Sequence, residues 1–165
     1  MKNRIRTLAV GGLLALAASA ASADVTVNYI APERFSDLPF APWERDDVLK
    51  HLTEHFAKLG AKLPPGQNLR IEVQDVDLAG RIHPTRANDI RVISNRAEGP
   101  RIDLHYTVES DGQVVRSGEA QLRDLGFLDR GSSHYAGDDN LRYERRMIDD
   151  WFYATIMPRE RAAQR

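Results

Sequence analysis

The chain has 165 residues, with 23 lysines and arginines against 24 aspartates and glutamates, a formal net charge of −1 and no cysteine. The charge is balanced and no block of like charge stands out, so nothing indicates the basic surface typical of nucleic-acid-binding proteins, and we expect no nucleic-acid partner. The lack of cysteine excludes disulfide bonds and lipid attachment through an N-terminal cysteine, so stability must come from a hydrophobic core.

The first 23 residues have the pattern of a cleavable export signal. Three basic residues among the first six precede an uncharged apolar run over residues 8–18. This run is shorter than the ~20 residues that a membrane-spanning helix needs, which favours a signal peptide over an anchor. Small side chains at residues 21–23 suit a signal peptidase and predict a cut between Ala23 and Asp24. We therefore expect a periplasmic or secreted protein with no membrane span after signal removal.

Removal of the signal leaves residues 24–165, a length typical of one domain. Apolar and polar residues alternate over 25–29, which predicts a strand, and three prolines make the next segment irregular. From about Trp43 to Leu63, apolar residues recur at three- and four-residue steps and predict an amphipathic helix. At the other end of the chain, the polar residues 159–165 are expected to fray.

A second strand is predicted to begin at Leu69. The apolar residues change parity within it, which indicates a bulge near Gln74 or Asp75. Residues 81–88 have the composition of a loop, and residues 90–92 are compatible with a short strand.

The clearest alternation covers residues 102–108 and precedes the hairpin signal Ser-Asp-Gly at 110–112. A two-residue Asp-Gly turn would set Leu104 opposite Glu119, which conflicts with an apolar face on both strands. We therefore predict a three-residue loop with Gly112 in the left-handed conformation. The resulting pairs are Val108 with Val114, Leu104 with Gly118, and Ile102 with Ala120.

A last helix is predicted by the apolar stripe from Leu141 to Thr155, with cap candidates at 138–140 and an end at Pro158. The strands have one polar face, so both helices should cover the other face. The predicted fold class is α+β: a two-layer sandwich whose mixed, mostly antiparallel sheet has about four to five strands and two helices on one face. The first two strands should be parallel, because a helix connects them.

Five motifs give the chain a resemblance to a known family. They are Asp-Val-Asp-Leu-Ala-Gly at 75–80, Asn-Asp-Ile-Arg-Val at 88–92, Pro-Arg-Ile at 100–102, Asp-Leu-Gly-Phe at 124–127 and Tyr-Glu-Arg-Arg-Met-Ile-Asp-Asp-Trp-Phe at 143–152. In this order they resemble the bacterial exported family catalogued as domain of unknown function 3016. The resemblance implies an exported protein of similar length. It brings no catalytic, cofactor or binding residues, because that family has no assigned activity.

The sharpest catalytic pattern is His51-Leu52-Thr53-Glu54-His55, the H-x-x-E-H order of inverted zinc peptidases. In those enzymes two histidines one helical turn apart hold Zn²⁺, and the glutamate activates water. Here the helical wheel sets both histidines beside the apolar stripe but turns Glu54 away, and no later helix offers a clear third ligand. We favour an amphipathic helix with two partly exposed histidines.

Asp75 and Asp77 are two residues apart on a strand, so their carboxylates should lie on one side, about 7 Å apart. Such a pair can bind Ca²⁺ or act as acid and base, and Asp89 or Asp103 can join it. The alternative, which we favour, is a bulged strand end whose carboxylates face water or accept loop N–H groups. Asn88-Asp89 is more typical of turn chemistry.

Three further groups have both a functional and a structural interpretation. The Ser-Ser-His-Tyr segment at 132–135 sets serines beside a histidine, but no Gly-x-Ser-x-Gly turn accompanies it. The arginines within 142–146 can grip an anion, although a solvated helix face with paired charges is the commoner case. Trp43 and Trp151 can line a ligand groove, although aromatic residues at helical spacing usually belong to the core.

The sequence contains no specific catalytic constellation, and its loops at 81–88 and 126–138 are long enough for binding. We therefore expect a soluble periplasmic binding or accessory module of the cell envelope and not an enzyme. Its partner would be an unknown envelope component, protein or glycan, bound by these loops or by the uncovered face of the sheet. No cofactor and no metal are expected.

One enzymatic alternative stays open: a metal-dependent hydrolase. It would use either His51, Glu54 and His55, or the pair Asp75 and Asp77. Stoichiometric zinc in the purified protein, with activity lost in His55→Ala, would favour this alternative over a binding module.

Overall fold

The computed structural model describes residues 23–85, 90–129 and 140–158. The predicted signal up to residue 22 and the predicted tail at 159–165 lie outside this range. The described elements are β1 (Asp24–Tyr29), α1 (Pro42–Gly60), β2 (Gln67–Asp77), β3 (Arg81–His83), β4 (Ile90–Val92), β5 (Arg101–Ser110), β6 (Gln113–Arg123) and α2 (Arg142–Trp151). Short 3₁₀ helices cover Pro32–Arg34 and Arg96–Glu98, and a π-helix, Phe152–Ile156, continues α2.

Four strands form one sheet in the order β1-β2-β5-β6, and β3 pairs with β4 in a separate small sheet. β1 and β2 are parallel, and the other neighbours are antiparallel. This confirms the mixed, mostly antiparallel sheet and its parallel first pair. The predicted loop at 81–88 was wrong for residues 81–83, which form β3. Three residues are too few to give a periodic signal, and only the pairing with β4 defines this strand.

One face of the four-stranded sheet forms the hydrophobic core together with both helices. α1 contributes Leu52 and Phe56 to this core, and α2 contributes Trp151. The indole of Trp151 packs edge-on against Phe56 and Tyr106, with ring centroids 6.3 and 5.7 Å apart. Burial of each such side chain stabilises the fold by about 1.5–3 kcal/mol. The predicted α+β fold, with two helices on one face of the sheet, is confirmed.

The bulge predicted in the second strand is present, because the register of β2 against β5 shifts between Val73 and Asp75.

The predicted three-residue hairpin loop was wrong. Asp111 and Gly112 form a two-residue turn in which both φ angles are positive, at 51° and 78°. Two positive φ angles match the twist of the flanking strands, and Asp-Gly is a preferred sequence for this turn.

The extra residue of the hairpin lies within β6 and not in the loop. β5 pairs Glu109 with Val114 but Val108 with Arg116, so one residue of β6 is left over. Beyond this bulge Leu104 faces Ala120, which restores the apolar pairing on the helix side of the sheet. The predicted partners of Leu104, Ile102 and Val108 were therefore wrong. Each observed partner lies two residues further along β6 than predicted.

The stripe predicted for the last helix is confirmed, because Ile148, Trp151 and Phe152 are buried. Its start differs from the prediction: Leu141 occupies the N-cap position and provides no side-chain cap, so the candidate Asn140 is not the cap. The other two candidates, residues 138 and 139, lie outside the described range.

Tyr29 joins β1 to α1. Its hydroxyl donates to the backbone oxygen of Leu49 at 3.0 Å and lies 3.1 Å from Oγ1 of Thr53. Burial raises the pKa of Tyr29 to about 12, although the hydrogen bond with Thr53 partly opposes this. A raised folded pKa gives stability that is complete below the unfolded pKa of about 10 and is lost as the pH rises through the folded value.

We expect the free energy of unfolding to fall between about pH 10 and the folded pKa of Tyr29, which is about 12. In Tyr29→Phe this part of the pH dependence should be missing. Urea unfolding at a series of alkaline pH values measures the difference. If the unfolding free energy fell equally steeply with pH in the two proteins, the prediction would be contradicted.

Candidate functional site

Three aspartates and three arginines meet where β2 ends and β5 begins. They are Asp37, Asp75, Asp77, Arg81, Arg91 and Arg101, and we call them the Arg–Asp network. The sheet brings them together, because Asp77 pairs with Arg101 and residue 37 forms a parallel bridge with residue 77. The network therefore ties the irregular segment before α1 to two central strands.

Both oxygens of Asp75 are occupied by donors. The backbone N–H of Ser36 donates to Oδ1 at 2.7 Å, and Oδ2 accepts from the Ser36 hydroxyl at 2.6 Å and from Arg101 Nη2 at 2.8 Å. Partial burial alone would raise the pKa of Asp75, but the hydrogen bonds from Ser36 and the charge of Arg101 outweigh it and hold the pKa below its ordinary value. A carboxylate held ionised in this way is poorly suited to act as a general acid.

Asp77 and Asp37 have arginine partners as well. Asp77 accepts from Arg81 Nη1 at 3.1 Å. Asp37 receives two hydrogen bonds from Arg91, at 2.8 and 3.2 Å, in the bidentate geometry that suits a guanidinium and a carboxylate. Of the acids predicted to join Asp75 and Asp77, Asp103 lies opposite Asp75 on β5. The other, residue 89, lies outside the described range.

The lowered pKa of Asp75 predicts acid sensitivity. A depressed folded pKa gives stability that is present above the unfolded pKa of about 4 and is lost as the pH falls through the folded value. Asp75→Asn should therefore be less stable than the wild type at neutral pH and should approach it below about pH 4. Asp46→Asn, at an exposed carboxylate of α1, is the control. Its difference in unfolding free energy from the wild type, measured by urea melts, should stay constant from about pH 3 to 7. If the difference in unfolding free energy between Asp75→Asn and the wild type stayed constant over this pH range, the prediction would be contradicted.

The histidines of the H-x-x-E-H motif lie in different environments. His55 is only 8 % exposed, and its Nε2 lies 2.8 Å from Asp149 Oδ1 and 3.2 Å from the backbone oxygen of Arg145. Both neighbours are acceptors, so Nε2 carries the hydrogen and is not free to bind a metal. His51 lies 3.6 Å from Asp47 on the same helix, and Glu54 is exposed. The expected partial exposure was wrong for His55, because α2 packs over it.

Within residues 23–85, 90–129 and 140–158, no group of three histidine, cysteine, aspartate or glutamate side chains is placed to hold a metal ion. The four candidates His51, His55, Asp75 and Asp77 are divided between α1 and β2, and each contacts a partner of its own. The structure therefore leaves the two proposed sets apart: Asp75 and Asp77 share Arg101, whereas His51 and His55 have separate partners on α1 and α2.

A polar row that the sequence did not predict crosses the sheet on the face opposite the helices. His105 Nε2 lies 3.1 Å from the Ser117 hydroxyl, and its Nδ1 lies 3.8 Å from Glu72 Oε2. Serine, histidine and an acid in this order are typical of acyl-transfer sites, but 3.8 Å is too long for a hydrogen bond. The side chains also stand on the face of the sheet that the helices leave uncovered. We therefore interpret the row as cross-strand pairing, which only the observed register brings together.

The polar residues of α2 are not simply a solvated helix face. Glu144 is fully buried and its Oε1 accepts a hydrogen bond from the backbone N–H of Ala79 at 2.7 Å. Arg146 Nη2 donates to Asp124 Oδ2 at 2.9 Å and to the backbone oxygen of Phe127 at 2.7 Å. The interpretation of this segment as a solvated face with paired charges was wrong for Glu144 and Arg146, because α2 packs against the ends of β2 and β6.

A groove of about 340 Å³ runs between β6 and α2. We call it the β6–α2 groove. It is lined by Gln121, Leu122, Arg123, Asp124, Met147, Asp150, Trp151 and Ala154. Three apolar members, Leu122, Met147 and Trp151, are buried and form the floor, whereas Gln121 and Arg123 are exposed on the rim. The helical members recur at three- and four-residue steps, so they share one face of α2 and its π-helical extension.

Arginines connect the two walls of the β6–α2 groove. Towards the start of β6, the Arg116 guanidinium donates to the backbone oxygens of Thr155 and Ile156 in the π-helix. Beyond the end of β6, Arg146 holds Asp124. Contacts to the helical segment therefore hold β6 at two points, one at Arg116 near its start and one at Asp124 just after its end.

The two tryptophans differ in burial. Trp151 is 9 % exposed and belongs to the core, as the sequence predicted. Trp43 is 73 % exposed at the start of α1, beside Phe40, which is 98 % exposed. The expectation that Trp43 belongs to the core was therefore wrong, because it lies before the first buried turn of α1. Of the remaining candidates, the Ser-Ser-His-Tyr segment and Asn88 lie outside the described residues.

Comparison with known proteins gives a family and no relative of known activity. A search of curated proteins found no match, and neither did a search of solved structures. Within the described ranges, no helix has the length and apolar character needed to cross a membrane. The family Protein of unknown function (DUF3016) matches over residues 23–154. Because this match covers most of the chain and includes all five motifs quoted above, the chain belongs to that family.

Proposed function

We propose that this chain is an exported protein of the cell envelope that binds another protein and catalyses no reaction. The observation that carries the binding role is the β6–α2 groove, because it combines a buried apolar floor with an exposed polar rim. The hydrolase alternative is disfavoured by the partners of its candidate residues. His55 donates to Asp149, and Asp75 is held by Ser36 and Arg101.

Export is supported by the positions at which the first described strand and the family match begin. The signal pattern predicts a cut after Ala23, β1 begins at Asp24, and the family match begins at residue 23. Cleavage there would leave every described strand and helix in the mature protein. N-terminal sequencing of the chain made in its host should give Asp24 as the first residue, in the periplasmic or secreted fraction. Intact chain that begins at Met1 in the cytosol would overturn the export proposal.

The binding role is tested by blocking the groove. Ala154 is exposed and lies on the groove wall, so Ala154→Phe should fill the groove without disturbing the core. Ala57→Phe, at an exposed alanine of α1, is the matched control. Each variant is expressed in the host in place of the wild type, cross-linked mildly and purified from the envelope, after urea melts have shown that the stability of each variant is unchanged.

We expect a protein that is cross-linked to the wild type and to Ala57→Phe but at least fivefold less to Ala154→Phe. Equal capture by all three proteins would contradict a binding role for the groove. Capture of a glycan in the same groove-dependent way would overturn the choice of a protein partner.

A further inference from the structure

The strand beside the groove favours a particular shape of ligand. β6 has 11 residues and is the last strand of the sheet within the described residues. The outer side of such a strand presents a row of backbone N–H and C=O groups that no neighbouring strand uses. These groups are complementary to the backbone of an extended peptide, which can add to the sheet as a further strand.

The charges on the groove favour a particular ligand chemistry. Arg123 is exposed on the strand side and makes no ion pair with the residues that the structure describes. By contrast, Asp124 is held by Arg146. On the helix side the groove has one carboxylate, Asp150, which has a contact of its own. Arg123 is therefore the charge that a ligand can neutralise.

A second donor belongs to the floor of the groove. The indole nitrogen of Trp151 is buried and has no hydrogen-bond acceptor within the described part of the chain. A buried donor without an acceptor costs about 1–3 kcal/mol, and this donor has almost no accessible surface, so a ligand that rests in the groove does not reach it. The exposed guanidinium of Arg123 is thus the donor on the groove surface, which suits a ligand that carries carboxylate oxygens.

We propose that the β6–α2 groove takes an extended acidic segment of a partner protein, which adds to the edge of β6 and sets a carboxylate beside Arg123. Alternate apolar side chains of the segment enter the groove and contact Leu122 and Trp151, because successive side chains of a strand point to opposite sides. This inference rests on the proposed function and narrows its partner from any envelope protein to one with an exposed acidic strand.

The test uses three synthetic heptapeptides with blocked ends and the full mature chain. The first peptide is Thr-Val-Thr-Val-Glu-Val-Thr, the second has lysine in place of glutamate, and the third has proline in place of the central valine. We expect the acidic peptide to bind about tenfold more tightly than the lysine peptide at low salt, and less so at high salt. The proline peptide should not bind, because proline cannot complete the hydrogen bonds of an added strand.

Two variants test whether Arg123 is the residue that recognises the glutamate of the acidic peptide. Arg123→Gln should remove most of the difference between the acidic and the lysine peptide, whereas Arg34→Gln, at an exposed arginine before α1, should keep it. Amide chemical shifts recorded during the titration should move along β6. No binding of the acidic peptide, equal binding of the lysine peptide, or shifts confined to other strands would each overturn the inference. Such a result, with groove-dependent capture in the cell intact, would leave the proposed function standing.

Discussion

Glu144→Ala is expected to lower the free energy of unfolding by about 3 kcal/mol. Glu144 is fully buried, and its Oε1 is the acceptor for the backbone N–H of Ala79, which is itself buried. Alanine removes this acceptor and leaves a cavity, and the two losses add because α2 is fixed by packing on the sheet. Urea unfolding followed by circular dichroism measures the change.

Glu144→Gln is the matched control for this prediction. Glutamine has nearly the same volume and keeps a carbonyl oxygen that can accept from Ala79, so we expect a smaller loss of about 1 kcal/mol. If the two variants are equally destabilised, the charge of Glu144 and not its hydrogen bond to Ala79 is the source of its contribution.

Gly60→Ala is expected to destabilise the protein by about 2 kcal/mol, although alanine is usually favoured over glycine in helices by up to about 1 kcal/mol. The reason is the close approach of α1 to β1. A Cβ atom on residue 60 would lie 1.8 Å from Cγ2 of Val25, and valine has few alternative rotamers with which to avoid it.

The same contact predicts a rescue. Val25→Ala removes Cγ2 and leaves only Cβ, 3.0 Å from the new methyl group, so the double variant should be more stable than the sum of the single effects predicts. A coupling free energy of about 1–2 kcal/mol in the double-mutant cycle would support this contact. Additive effects would show that α1 and β1 separate to accommodate the methyl group.

The alternation of apolar residues predicted the strands of the four-stranded sheet, the bulge of β2 and the side of the sheet that the helices cover. It did not predict the hairpin, because an apolar face fixes which side a residue occupies but not whether an extra residue lies in the loop or in the strand. Two neighbouring valines of β6, Val114 and Val115, are both exposed, so burial gives no signal for the position of the bulge. β3 was missed because a three-residue strand has no period.

The candidate site was less predictable than the fold. Asp75 and Asp77 stood out as a pair on one strand, but their partner Arg101 belongs to another strand, and Asp37 to a segment without periodicity. The groove depends on the distance between β6 and α2, which no local pattern contains. The quoted motifs gave a further early signal, since they include Arg91, Arg101, Asp124 and Arg146, whose side chains all make the contacts described above.

The central claim is that the β6–α2 groove is where this protein meets its partner, and site-specific photo-crosslinking in the host tests it most directly. A photoreactive amino acid is placed at Gln121 on the groove rim, at Gln74 on the strand β2, or at Trp43 at the start of α1; all three positions are exposed. We predict a protein adduct from Gln121 and none from the other two positions. Adducts from Gln74 or Trp43 without one from Gln121 would contradict the account.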